Sequence, residues 1–248
     1  MLRINNMQAH IHRSRITGMA CLAMAGLMVG CQRSAPQAPT AQQVPQQVSH
    51  PAANTPSKIL SKSGKILLDS MQHPKTPFHY SYTGQQNVND RYAFDKSVKP
   101  QVAAVTLEAD LSPDEVRITS MRGAKHEDRA AKKSDDLGWS EAQLSLIGNV
   151  TGPTMDIDLT ASLAAPDGAE PVGGVAADKF KFDSSTLTPA QKSQFDIIKS
   201  IGHIKDMKVT AWVAKDSGEL VKFSIDQSNA DDRGNTWEEH YEGEVKPK

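Results

Sequence analysis

The carboxyl-terminal part of the chain alternates apolar and polar residues in three stretches, 207–216, 220–228 and 235–245. The sequences DSGE and NADDRGN lie between them and are typical of turns. One face carries the apolar residues Val209, Ala211, Val213, Val221, Phe223, Ile225, Trp237, Tyr241 and Val245. The other face of the last stretch carries Glu238, His240, Glu242 and Glu244. This pattern predicts three antiparallel strands with one buried and one solvated face.

Two other stretches have the spacing of amphipathic helices. Residues 58–72 place apolar side chains three and four positions apart, which predicts a short helix. Residues 188–201 form the clearest helix, with Thr188 as N-cap, Pro189 at the first helical position and Gly202 after the last turn. Its predicted buried stripe consists of Phe195, Ile198 and Ile201.

Three strands are expected before the middle of the chain. Residues 76–83 alternate aromatic and polar side chains, as a half-buried strand does. Residues 101–109 and 114–121 are two further strand candidates, and a turn sequence containing Ser112 and Pro113 separates them. This arrangement predicts an antiparallel hairpin.

The middle of the chain is harder to assign. Residues 122–137 are dense with charges of both signs, which predicts a solvated excursion. A helix is then expected from the capping-box pair Ser140 and Gln143. Residues 154–163 alternate apolar and polar side chains, so a strand fits there, and a continuation of the helix fits as well. Asp156 and Asp158 in this segment are expected on a solvent-exposed face.

A turn at residues 165–171 and a strand over 172–187 are predicted next. This strand would open with Gly173 and Gly174. These glycines do not match a phosphate-binding loop, because no Gly-Lys-Ser/Thr sequence follows them.

The amino-terminal residues 1–30 have the layout of a bacterial export signal. Arg3, Arg13 and Arg15 precede a short apolar run that ends in Gly30 and Cys31. A cysteine directly after the small residue resembles a lipobox, in which the cysteine is acylated and becomes the first mature residue. Cys31 is therefore the predicted lipid attachment site.

Two alternatives to this lipid anchor remain. A transmembrane anchor needs about 20 apolar residues, and this run is shorter and contains glycines. An ordinary cleaved signal without lipid is the stronger rival, because Met28 stands where a lipobox usually carries a branched apolar residue. Cys21 is a poorer lipid site, since only a few residues separate it from Ile16.

The predicted domain organisation follows from this leader. Residues 31–57 are rich in Pro, Gln and Ala and lack apolar bulk, so they form a lipid-anchored tether. Residues 58–248 form a single domain. In the Gram-negative sorting scheme Gln32 favours the outer membrane over the inner membrane, because an Asp at that position favours retention.

Charge and cysteine content restrict the class of protein. The leader holds three of the 28 Lys and Arg and none of the 29 Asp and Glu, which leaves a mature formal charge of −4. This balance does not favour a nucleic-acid partner. Cys21 and Cys31 are the only cysteines of the chain, so an acylated Cys31 leaves no thiol for a disulfide.

The sequence offers little catalytic chemistry. It contains no Gly-x-Ser-x-Gly, His-Glu-x-x-His or Walker motif. His126, Glu127 and Asp128 are adjacent residues in the expected charged excursion, where they would make a poor metal site. We therefore expect a protein without catalytic residues, metal or cofactor.

Two segments of the sequence resemble segments found in a group of bacterial envelope lipoproteins, the LolA/LolB and LppX/LprG group. Residues 212–223, WVAKDSGELVKF, look like a hairpin that recurs near the carboxyl end of that group. Residues 173–180, GGVAADKF, are similar to its glycine-led middle strand. The order of the predicted elements over residues 58–248 also agrees.

This resemblance implies an α+β fold, a strongly curved antiparallel half-barrel with helices packed on its concave face. It also implies an apolar cavity that holds a lipid, an acyl chain or a lipidated peptide. The candidate lining residues are Trp212, Phe223, Trp237, Tyr241, Phe195 and Ile198. A solid core that uses the same residues remains the alternative. The protein would then be a sensor or interaction module that binds an envelope partner through residues 122–137 or 236–244.

Overall fold

The computed structural model describes residues 55–89, 95 and 97–248, the side chains at 201 and 202 excepted. The described residues include neither the leader 1–30 nor residues 31–54 of the tether, to which Cys31 belongs. No helix within the described part of the chain is long and apolar enough to span a membrane.

The described residues form an α+β unit built on one antiparallel sheet of nine strands. The strands are β1 (Phe78–Asn87), β2 (Val102–Leu111), β3 (Glu115–Arg122), β4 (Lys125–Lys132), β5 (Ala165–Val172), β6 (Val175–Asp183), β7 (Ile204–Ala214), β8 (Leu220–Ala230) and β9 (Thr236–Pro247). Their order across the sheet is β4-β3-β2-β1-β9-β8-β7-β6-β5. The sheet is not closed, because β4 and β5 are its edges and do not pair with each other within the described residues. The predicted fold class, a curved half-barrel with helices, is confirmed.

Three helices cover the concave face of this sheet: α1 (Pro56–Gln72), α2 (Asp136–Thr160) and α3 (Pro189–Gly202). Thr188 and Gln191 form a capping box at the start of α3, so its predicted N-terminus is confirmed. The αL residue that ends α3 is His203, rather than the predicted Gly202. Helix α1 begins at Pro56, so it takes the last two residues of the predicted tether 31–57.

Helices α1 and α2 run antiparallel in close contact. A Cβ added at Gly64 of α1 would lie 3.2 Å from the Cβ of Thr154 in α2. The side-chain amide of Gln143 in α2 donates to the carbonyl of Gln72 at the other end of α1, at 2.6 Å. A glycine at the crossing lets the two backbones approach.

The predicted strands of the sheet centre are confirmed. The β2–β3 hairpin pairs Leu107 with Ser120, and β7, β8 and β9 form the predicted meander. Apolar side chains from the concave face and the helices make one core, whose largest fully buried members include Tyr80, Tyr82, Phe182, Phe223, Leu107 and Leu146.

Both edge strands were predicted wrongly as irregular segments. Half of the charged region 122–137 forms β4, in which Ala131 is the buried residue. The predicted turn 165–171 lies in β5, in which Val172 is the buried residue. Gly173 and Gly174 form the turn of the β5–β6 hairpin and do not open a strand.

Residues 154–160 belong to α2, so the strand interpretation is wrong and its helical alternative is right. The helix begins at Asp136 with Asp135 as N-cap, ahead of the predicted capping box at Ser140. It continues through Pro153.

Candidate functional site

The strongest candidate for a site is a pocket at one end of the sheet, which we call the end pocket. It lies beneath the last turns of α1, where β1 begins and β9 ends, and beside the β7–β8 turn. At this turn Gly218 has a positive φ, and an added Cβ would lie 3.5 Å from Cδ1 of Ile66.

The walls of the end pocket are largely apolar. Its main apolar lining residues are Ile66, Phe78, Val175, Ala214, Val221 and Val245. Its volume is about 390 Å³. Small-molecule sites commonly have volumes of about 300–1,000 Å³ with apolar walls and a few polar groups. The pocket therefore has the size and lining of a site for a small apolar group.

Four ionisable side chains line the same pocket. Asp69 and His73 at the end of α1 contact each other at 3.4 Å, and both side chains are largely exposed. Lys75 is also exposed. Glu219 is half-buried, and burial raises the pKa of its carboxyl group, although a hydrogen bond from Ser70 opposes the shift. Glu219 thus supplies the least solvated charge of the pocket.

The predicted lining residues lie elsewhere. Phe223 and Tyr241 project from the concave face into the main core, and Phe195 and Ile198 reach this core from α3. The ring centroids of Phe195 and Phe182 are 5.4 Å apart. None of these four side chains lines the end pocket.

Trp212 was predicted to line a cavity on the concave face, but it lies on the convex face. It packs there with Val172, Ala177, Ala214 and Val221 in a small second cluster. The tip of the β5–β6 hairpin reaches this cluster, which explains why a large apolar side chain is buried outside the concave face.

Polar contacts also fix Trp212 on the convex face. Its indole N–H donates to Glu170 at 2.5 Å. The Nζ atoms of Lys179 and Lys222 each lie 5.2 Å from its ring centroid. These contacts are of the cation–π type.

Trp237 lies at the far end of β9 and is half-buried. Its indole N–H donates to Oε1 of Glu239 at 3.2 Å. The same carboxylate accepts hydrogen bonds from the backbone N–H of Asn87 and the side-chain amide of Gln227, both at 2.7 Å. Trp237 therefore belongs to a polar region of the concave face.

Next to this region lies a group that we call the acid–tyrosine cluster: Tyr82, Asp156, Glu239 and Tyr241. The hydroxyl of Tyr241 donates to Asp156. Burial raises the pKa of Asp156 to about 6, with a smaller contribution from the charge of Glu239, and the hydrogen bond from Tyr241 opposes the shift. Burial also raises the pKa of Tyr82 and of Tyr241.

The sequence did not reveal this cluster. Asp156 was expected on a solvent-exposed face, but α2 turns it towards the sheet while Asp158 remains exposed. The sequence would have indicated Asp156 as a buried group facing the sheet only if residues 154–160 had been assigned to a helix.

The His126, Glu127 and Asp128 side chains do not converge. His126 and Asp128 contact each other at 2.8 Å, whereas Glu127 pairs with Arg129. Alternation along β4 places Glu127 on the opposite face. Among the described residues, no three His, Cys, Asp or Glu side chains are grouped to hold a metal ion.

Comparison of the chain with protein-family models and with curated proteins gives no match.

Proposed function

We propose that the protein is a bacterial envelope lipoprotein whose folded domain binds a hydrophobic ligand in the end pocket without catalysing a reaction. The ligand class is a lipid, an acyl chain or a lipidated peptide. The observation that carries this proposal is the largely apolar pocket of about 390 Å³ at the end of the sheet. The sequence resemblance to envelope lipid carriers supports the same ligand class.

The proposed location differs from the one expected from the sequence. Buried side chains such as Leu146, Ile157 and Phe182 occupy the space between the helices and the sheet. A ligand there would have to displace well-packed core residues, at a cost of about 2–5 kcal/mol for each large side chain lost from the core. The end pocket needs no such displacement.

The anchoring part of the proposal rests on the sequence. Cys31 in its lipobox-like context would carry the lipid, and the Pro- and Gln-rich residues after it would separate the domain from the membrane. Gln32 favours the outer membrane in a Gram-negative cell.

Filling the end pocket tests the proposed function. Val175→Phe replaces a small side chain of the pocket wall by a phenyl ring at a half-buried position, whereas Val102→Phe makes the same change at an exposed position of β2. We expect the naphthylamine dye N-phenyl-1-naphthylamine to bind the wild-type domain with increased fluorescence. Val175→Phe should weaken this binding by about tenfold, the effect of losing ~1.4 kcal/mol of contact, and Val102→Phe should leave it unchanged.

The same titration distinguishes the second candidate function, a solid-core interaction or sensor module. The observation that favours this candidate is the charged, exposed edge strand β4, which leaves one side of its backbone unpaired within the described sheet. If the folded wild-type domain binds neither the dye nor co-purified lipid, ligand binding is contradicted and the interaction module becomes the better candidate.

A further inference from the structure

Glu219 is an unusual group for an apolar pocket. Its carboxylate is half-buried at the end of the β7–β8 turn, and within the described residues no Lys, Arg or His forms an ion pair with it. The hydroxyl of Ser70 is its polar neighbour on α1. A carboxylate that has lost part of its hydration without gaining a cation is energetically unfavourable, so a cation that reached it would be stabilised.

The other ionisable side chains of the pocket lie at its exposed rim and do not neutralise Glu219. Asp69 and His73 contact each other at the rim, and both side chains are 72% exposed, so water screens any charge that they carry. Lys75 lines the pocket from the exposed loop that follows α1. The least screened charge that a ligand meets inside the pocket is therefore negative.

We propose that the ligand of the end pocket is an amphiphile with an apolar body and a primary ammonium head group that pairs with Glu219. This inference rests on the proposed function. The apolar body contacts Phe78, Val221 and Val245, and the ammonium donates hydrogen bonds to the carboxylate of Glu219. The folded protein has already desolvated this carboxylate in part, so the ligand bears mainly the desolvation cost of its own head group.

The charge of the head group separates this ligand from the more common lipid anions. A fatty acid would bring a second carboxylate close to Glu219, and two carboxylates in a poorly hydrated site repel each other. An uncharged alcohol with the same chain would gain the apolar contacts and at most one hydrogen bond to the carboxylate, without the attraction between opposite charges. The affinity of the end pocket should therefore decrease from the ammonium to the alcohol and from the alcohol to the carboxylate.

Competition against the bound dye tests this order. Dodecylamine, dodecan-1-ol and dodecanoate share one alkyl chain, and they are added below their micelle-forming concentrations at near-neutral pH. We expect dodecylamine to displace the dye at an about tenfold lower concentration than dodecan-1-ol, the gain typical of a charge-assisted hydrogen bond. Dodecanoate should be the weakest competitor.

Two variants assign the preference to Glu219. Glu219→Gln keeps the shape and should remove the advantage of dodecylamine while leaving displacement by dodecan-1-ol unchanged. Asp69→Asn removes a rim carboxylate and should preserve the advantage. Equal displacement by amine and alcohol in the wild-type domain, or an advantage that survives in Glu219→Gln, would overturn the inference.

The design separates this inference from the proposed function. If dodecan-1-ol competes but the amine has no advantage, the apolar site stands and ammonium recognition fails. If the dye does not bind the folded domain, the proposed function itself fails. Lyso-phosphatidylethanolamine, added as a further competitor, identifies the source of the ammonium: strong competition indicates a phospholipid head group, and weak competition beside strong dodecylamine indicates an amine without a phosphate.

Discussion

Asp156 and Asp158 have different environments although one residue separates them in the sequence. Two positions along a strand point to the same side, whereas two positions along a helix are rotated by roughly 200° from each other. Helix α2 therefore turns Asp156 towards Tyr241 and leaves Asp158 in solvent. The raised pKa of Asp156, about 6, follows from this rotation.

This carboxyl group should make the stability of the protein depend on pH. The folded state holds the proton of Asp156 more tightly than the unfolded state does, because burial raises the pKa from 3.8 to about 6. Its contribution to stability is therefore complete below the unfolded pKa and is lost as the pH rises through about 6. Asp156→Asn should abolish this loss.

Urea unfolding at about pH 4 and about pH 7 measures the effect. Over this range the wild-type free energy of unfolding should fall by about 2 kcal/mol relative to that of Asp156→Asn. Asp158→Asn is the matched control and should follow the wild-type protein. Identical pH dependence of the wild type and Asp156→Asn would contradict the assignment.

Trp212 marks the limit of what the sequence reveals about single residues. Alternation along β7 correctly separates it from Val209, Ala211 and Val213, so the pattern itself assigns Trp212 to the convex face. It was nevertheless predicted as a cavity residue, because large apolar side chains are usually buried on the core side. The hairpin tip that covers it comes from a distant part of the chain, and local periodicity does not report such a contact.

At the scale of elements, the sequence predicted interior strands better than edge strands. Interior strands bury one face, and this burial produces the alternation that was recognised in β7 to β9. Edge strand β4 consists mainly of charged residues, and β5 contains Pro166, Gly168 and Pro171. Such residues hinder further strand pairing at an open edge, so they resemble loops in sequence while still forming a ladder on one side.

The carboxyl-terminal part of helix α2 was not clearly predicted as a helix, for a different reason. Pro153 lies inside it, and proline usually ends or kinks a helix. The residues after it happen to alternate, but the structure exposes Met155 and buries Ile157 and Thr160, as a helix does. The helix is also apolar on its outer side, where Leu137 and Leu144 are exposed, so its amphipathic signal is weak.

The crossing of α1 and α2 should be sensitive to side-chain size. Gly64→Leu would push a side chain into Thr154, whose Cβ already lies 3.2 Å from the position of an added Cβ. We expect a loss of about 1–3 kcal/mol in the free energy of unfolding, typical of overpacking. Chemical denaturation measures this loss.

Gly148→Leu is the matched control on α2, because nothing lies within 4 Å of a Cβ added there. It should stabilise the protein by about 0.5–1 kcal/mol through helix propensity alone. Equal effects of the two substitutions would show that close packing at the crossing is not the reason for Gly64.

At the scale of the whole molecule, the end pocket could not have been found from the sequence. Its walls come from α1, β1, β6, the β7–β8 turn and β9, which are far apart along the chain. Each of these segments has an ordinary local pattern. The helices and the interior strands were predictable, because they follow from periodicities within single segments, whereas the packing of the helices on one face of the sheet was expected only from a resemblance.

The proposed attachment of the molecule to a membrane depends on one cysteine. Cys31→Ala should move the full-length protein from the membrane fraction to the soluble fraction and abolish labelling with a palmitate analogue. Cys21→Ala is the matched control and should retain both properties. If Cys31→Ala stays in the membrane fraction, or if the wild-type protein takes up no lipid label, lipid attachment at Cys31 is contradicted.

The pairing of β1 with β9 has a consequence for how the chain acquires its structure. The two strands lie side by side in the interior of the sheet, where Tyr82 pairs with Gly243, although they come from opposite ends of the domain. Contacts between such distant residues slow folding, because a long loop must close before they form. The sheet cannot be completed until the last strand is available. If the chain is exported as proposed, the domain would remain incompletely folded during passage across the inner membrane, and its sheet would be completed only after β9 has crossed.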